Sequence, residues 1–308
     1  MTASADSFFL PVGDGHALAV QLAGNPAGEP VLALHGGPGS GCSPRLLSLY
    51  DATRQRIVAF DQRGAGRSQP AGETRANTTA HLIADIERLR RHLGIGRWRV
   101  TGGSWGAALA LAYAIAHRPA VTGLVLRSSF VPGMGNVRGF FQGLATVCPA
   151  AWQALAASVA EGERGDLLAA LAHRLNGHDA AAAGAAALAW ARYEAAVAEP
   201  AAPPLPEPPP VELDRLVARY RVQAHYLRAG CFLDEAAFLA DCGGLAGLPV
   251  TLIHGRDDRV CPPANAERLH AAIPGSRLVW IDDCGHAAFH PAMAAAWRAA
   301  LAGPADAP

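Results

Sequence analysis

The 308-residue chain contains no lysine: its 26 basic residues are all arginine, and 26 acidic residues balance them. With no net charge and no polybasic run, neither nucleic acid nor an anionic membrane surface is expected as a partner. Charged residues are few, at 17%, and the loss of lysine to arginine and alanine reads as a habit of composition rather than a function. The N-terminal stretch MTASADSFFLPVGDGH lacks the basic n-region and long apolar h-region of a secretory signal. The most apolar stretch, around Ala107 to Ala116, falls far short of the roughly 18 residues of a membrane span. The six cysteines (Cys42, Cys148, Cys231, Cys242, Cys261, Cys284) show neither CxxC spacing nor disulfide-scaffold density, so a reducing, cytoplasmic setting is expected. The glycine-rich GGPGSG lacks the Lys-Ser/Thr of a phosphate loop and the spacing of a dinucleotide fingerprint. His286 and His290 sit four apart, but no glutamate adjoins the first, so neither a metal nor a cofactor is expected.

Hydrophobic residues make up 51% of the chain, enough for a sizeable core. The length fits two domains or one domain with a large insertion. FFLPV and HALAVQL flank a Gly13-Asp14-Gly15 turn and read as a hairpin. Solid apolar runs follow at PVLALHGG, RIVAFDQRG, RWRVTGG, VTGLVLRSS, LPVTLIHG and RLVWIDDCG. Helical spacing separates several of them, as with Leu82, Ile83, Ile86, Leu89 and Leu93 after the capping residues Asn77, Thr78 and Thr79. Strands alternating with helices imply a mostly parallel sheet buried on both faces. On that helix His81 and Asp85 are four apart, and a solvated face is expected for both. Between about Gly133 and Gly243 strand signals vanish and alanine-rich helical patterns take over. EPAAPPLPEPPP, from Glu199 to Pro210, is expected to be an extended surface connection. The organisation expected is an α/β core at 1–132 and 244–308, with a helical lid inserted at 133–243.

GGSWG, Gly102 to Gly106, is a G-x-S-x-G element preceded by a strand and followed by a helix, the context in which such a serine is a nucleophile. The turn lifts the Ser104 hydroxyl above the sheet at a helix N-terminus, where free backbone N–H groups favour negative charge. A serine hydroxyl is a weak nucleophile and needs a base and an orienting acid. In this fold they follow in the order acid, then histidine, after later strands. Asp257 and Asp258 follow LPVTLIHG, and His286 follows RLVWIDD. The oxyanion donors expected are the N–H of Trp105 and an N–H from HGGPG, with Gly37 favoured over Gly36 and His35 structural. Trp105, Phe130, Trp190 and Tyr193 are candidate walls of the pocket. Arg63 and Arg67 of DQRGAGRS are expected to brace loops, and Cys261 and Cys284 flank the triad loops.

HGGPGSG, FDQRGAGRS, NTTAHLIADIERLRRHLGI, GGSWGAALALAYA, LVLRSSF, HGRDDRVCP and CGHAAF together resemble the proline iminopeptidases, serine peptidases of the α/β-hydrolase fold. The resemblance implies Ser104 as nucleophile, Asp258 rather than Asp257 as acid, and His286 as base. It implies removal of an N-terminal residue, preferably proline, from a small peptide or amino-acyl amide, with lid carboxylates holding the substrate amine. WARYE, Trp190 to Glu194, is similar to the family's lid motif and nominates Glu194 for that role. In YRVQAHYL the chain departs from the pattern: Gln223 stands where the family has glutamate. Glutamine can accept a hydrogen bond but brings no charge. The stretch 133–243 still holds about twelve acidic against eight basic residues, a bias suited to a cationic substrate. The alternative activity is an amidase or esterase acting on small acyl substrates without a free amine.

Overall fold

A computed structural model describes residues 6–303 of the chain. The part of the N-terminal reading that concerns residues 1–5, and the last five residues of the expected core, lie outside it. Among the described residues eight strands form one sheet: β1 (Asp6–Gly13), β2 (His16–Gly24), β3 (Glu29–Leu34), β4 (Gln55–Phe60), β5 (Trp98–Gly103), β6 (Val121–Arg127), β7 (Val250–Gly255) and β8 (Arg277–Ile281). Their order is β1-β2-β4-β3-β5-β6-β7-β8. The β1–β2 and β2–β4 pairs are antiparallel and the rest parallel. The first hairpin closes over Asp14 and Gly15, both at positive φ as a tight primed turn requires.

The period of two along a strand divides the core. Leu32 and Leu34 of β3 and Val58 and Phe60 of β4 join one apolar cluster, while Val31, Ala33, Ile57 and Ala59 join another. The first is covered by α2 (Thr79–His92), α3 (Trp105–Ala116) and α10 (Pro263–Ala272). The second is covered by the segment after α1 (Pro44–Leu47) and by α11 (Pro291–Ala302), through Leu49, Tyr50, Met293 and Trp297. The α3 sequence is apolar on all sides because the helix is buried on all sides, from Trp105 through Ala114.

All helices from α4 to α9 lie between β6 and β7, which are themselves paired neighbours. They are α4 (Met134–Phe141), α5 (Pro149–Ala157), α6 (Leu167–Asn176), α7 (Ala180–Ala198), α8 (Pro210–Arg228) and α9 (Glu235–Asp241). Helices α5 to α8 pack on one another. The proline-rich connection carries no regular element from Glu199 to Pro209. Pro210 opens α8, where its missing N–H and fixed φ cost nothing.

Two local expectations change. Thr79 does not cap α2; its hydroxyl donates to Cys231 O at 2.5 Å and ties the helix to the inserted helices. Asp85 is not on a solvated face. It is 1% exposed and accepts from Arg63 Nε at 2.7 Å and Nη2 at 2.9 Å. The period of α2 could not show this, because the partner that makes the burial tolerable lies 22 residues away on another element. Arg63 also donates to Asp14 and to Ala76 O, and Arg67 pairs with Asp61, so both arginines brace loops.

Candidate active site

Ser104 sits between the end of β5 and the first residue of α3, at φ 57° and ψ −126°. A non-glycine residue in this region is strained. The surroundings hold it there: Ser104 N donates to Arg127 O at 3.1 Å, and its carbonyl accepts from Ala107 N at 3.0 Å. The helix starts immediately because Gly106 lies against β3, where a Cβ would come 2.5 Å from Leu34 O. The hydroxyl opens into a cavity of about 490 Å³, a size suited to a small ligand.

Asp258 and His286 meet beside it. His286 Nδ1 donates to Asp258 Oδ2 at 2.8 Å. Asp258 Oδ1 accepts from the N–H groups of Val260 and Cys261 at 3.0 and 2.8 Å. Burial alone would push the Asp258 carboxyl up, but His286, His254 and the Cys261 N–H outweigh it and hold it below its ordinary value. Asp257 takes no part in this contact. His286 lines the cavity with Ser104. Among the described residues Ser104 Oγ makes no hydrogen bond to His286; its side-chain partner is Cys261 Sγ at 3.9 Å. Burial pushes the Cys261 thiol well up, so it is no thiolate competitor. Such serine–histidine contacts commonly tighten only with substrate bound.

Gly36 and Gly37 line the same cavity. Gly37 has φ +110°, and a Cβ there would lie 2.8 Å from Gly39 N and Ser40 N, so the loop admits only glycine. A Cβ on Gly36 would lie 3.4 Å from Ser104 Cβ, which shows how closely this loop approaches the serine. Trp105 is the first residue of α3, so its N–H lies outside the intrahelical ladder. Gln62 joins the two donor segments: it donates to His35 O at 2.9 Å and accepts from Trp105 Nε1 at 2.9 Å. His35 is buried, and burial pushes its imidazole below the ordinary value; Nδ1 donates to Gly36 O and Nε2 accepts from Gln62 N. It is a brace for the loop.

On the inserted helices Glu194 and Gln223 both line the cavity, as does Phe130 at the end of the β6 loop. Glu194 Oε2 accepts from Arg219 Nη2 at 2.9 Å and from Tyr220 OH at 2.8 Å, and Oε1 accepts from Gln223 Nε2. Trp105, Trp190 and Tyr193 do not wall the cavity. The Trp105 ring packs edge-on to Tyr226 at 5.2 Å. Trp190 is fully buried between Phe141 and Tyr220, and Tyr193 packs against Phe140 with its hydroxyl donating to Phe140 O at 2.6 Å. They support the aromatic wall made by Phe140, Phe141 and Tyr220. The acidic bias of 133–243 does not reach the cavity either: its charged lining is Glu194, Arg219 and Arg127, with Asp258 behind His286. Among the described residues no three His, Cys, Asp or Glu side chains gather as a metal-holding group, and no helix is long and apolar enough to cross a membrane.

The model of the alpha/beta hydrolase fold family matches residues 29–292. The proline iminopeptidase of Xylella fastidiosa is 42% identical over 292 residues, covering 93% of this chain and 92% of that protein. That of Neisseria gonorrhoeae is 38% identical, covering 94% and 92%. The chain belongs to the proline iminopeptidase family. Among solved structures, the Mycobacterium smegmatis proline iminopeptidase superposes with a TM-score of 0.62 at 21% identity, covering 96% of each chain, which speaks to the fold.

Two charged cavity residues of this family member escaped the sequence reading, as did the aromatic wall of Phe140, Phe141 and Tyr220. Arg219 precedes Gln223 by four positions and so shares its face of α8, a signal that helical spacing offers. Arg127 lines the cavity from the end of β6 with Nε and Nη1 unpartnered among the described residues. Nothing in the linear order of LVLRSS distinguishes an arginine turned to the cavity from one turned to solvent.

Proposed function

We propose that the chain is a serine aminopeptidase that releases an N-terminal residue, preferably proline, from small peptides or amino-acyl amides. His286 takes the Ser104 proton while Oγ bonds to the carbonyl carbon of the first residue. The oxyanion is held by the N–H groups of Trp105 and Gly37. His286 then protonates the departing nitrogen, the C–N bond breaks, and an acyl-enzyme remains. Water, deprotonated by the same imidazole, releases the residue and regenerates Ser104. Asp258 keeps the imidazole in the tautomer with Nε2 free and stabilises the imidazolium. Residues 133–243 act as the lid and supply Glu194 and Gln223 for the substrate nitrogen. No cofactor is required by this chemistry. The six free cysteines favour a reducing compartment.

The observation that carries this reading is one shared cavity: Ser104 and His286 on the sheet side, Glu194 and Gln223 on the helical side. The function test compares prolyl-arylamide with N-acetyl-prolyl-arylamide. Near-complete loss of the blocked substrate is expected; equal rates would show an amidase without an amine anchor.

A further inference from the structure

The nitrogen-binding end of the cavity holds a closed charge pair. A carboxylate only accepts, so the Gln223 amide must turn its nitrogen to Glu194 Oε1. Its carbonyl Oε1 is left without a partner among the described residues, in a side chain only 4% exposed that lines the cavity. One turn back on α8, Arg219 spends Nη2 on Glu194 and leaves Nε buried without a partner among the described residues. The two orphans are one acceptor and one donor.

The charges facing this end come from every wall. Glu194 stands on α7, and Arg219 and Tyr220 on α8; Arg127 ends β6, and His35 lies behind Gly36. Cys261, Asp258 and His286 come from the loops after β7 and β8. Burial opposes the Arg219 charge, but the Glu194 carboxylate outweighs it and holds the guanidinium above its ordinary value. The Tyr220 hydroxyl, pushed well up by burial, is a donor to Glu194 and not a phenolate. Arg219 is paired with Glu194, while Arg127, its charge opposed by burial, stands nearer Asp258, so the carboxylate at this end has no charge to spare. A protonated amine would leave water for a site with no surplus charge to receive it. It would also offer only donors, and Arg219 Nε could not be met. An uncharged secondary amine has one N–H and one lone pair, the complement of the two orphans.

We propose that this enzyme binds the substrate amine in its uncharged form, the N–H donating to Gln223 Oε1 and the lone pair accepting from Arg219 Nε, with Glu194 serving the amine by holding both side chains in place. Gln223 thereby makes the enzyme selective for N-termini of low basicity. This rests on the aminopeptidase reading above.

The test measures kcat/KM against pH for prolyl and 4,4-difluoroprolyl arylamides, whose ring nitrogens differ in basicity. Any ionisation of the free enzyme affects both substrates alike and drops out of their ratio. At about pH 6 the weaker base is expected to be the better substrate, by about tenfold for each unit separating the two amine pKa values. The ratio should level off once pH exceeds both. In Gln223→Glu, where an added carboxylate supplies the missing charge, the advantage at low pH should collapse or invert. A wild-type ratio that does not change with pH, or a prolyl substrate favoured while protonated, overturns the inference and leaves the aminopeptidase reading intact. An enzyme that hydrolyses neither compound overturns both.

Discussion

Asp258 and His286 are joined by a 2.8 Å hydrogen bond although 28 residues separate them. The aspartate is anchored on its other oxygen by two backbone N–H groups, so its position does not depend on the histidine. Asp258→Asn should keep the fold and present an N–H to His286 Nδ1, forcing the wrong tautomer. A fall in kcat of about 10⁴ with little change in KM is expected. Steady-state kinetics on a prolyl-arylamide checks this, and a loss confined to KM would contradict it.

Ser104 carries backbone strain at φ 57°. Ser104→Ala and Ser104→Gly should both abolish hydrolysis. Only the glycine relieves the strain, so Ser104→Gly should be the more stable of the two by about 1 kcal/mol. Thermal unfolding of the two inactive variants side by side decides it; equal melting temperatures would mean that the turn is unstrained.

Gln62 touches neither the cavity nor the reacting atoms, yet it bonds both segments expected to donate to the oxyanion. Gln62→Leu removes those bonds at nearly constant volume. Its kcat is expected to fall at least tenfold, about 1.4 kcal/mol of transition-state stabilisation, with KM changed far less. Gln62→Glu, which can still accept from Trp105, should retain more activity than the leucine variant. Equal kinetic defects in the two would argue for a purely structural role.

Glu87 on α2 is buried and accepts from Arg90, Arg91 and Tyr113. Chiefly through Arg90, its carboxyl is held at about 2 against an ordinary 4.5. A depressed folded pKa gives stability that is full above the unfolded value and lost as pH falls towards the folded one. Compared with Glu87→Gln, the wild type should be more stable by on the order of 3 kcal/mol at pH 7. The difference should shrink between about pH 5 and pH 2. Denaturant unfolding of both proteins across that range measures it; a difference constant with pH would refute the ion-pair account.

The strands, the long buried helix after Ser104 and the inserted helical stretch all follow from local order. Apolar runs, glycines at strand ends and the 3.6-residue period are properties of neighbours along the chain. The same holds for Ser104, Asp258 and His286, because each lies just beyond a strand whose carboxyl end is readable, and strand ends converge in a parallel sheet. What linear order left undecided is which side chains face each other across elements. Asp85 and Trp190 read as a solvated residue and a pocket wall; burial against Arg63 and between two aromatic rings settled them otherwise. The electrostatic character of the cavity was decided the same way. The acidic bias of 133–243 suggested a cation, but field strength falls steeply with distance and solvent. Only tertiary contact brought Arg219 onto Glu194 and left the buried carbonyl of Gln223 without a partner among the described residues.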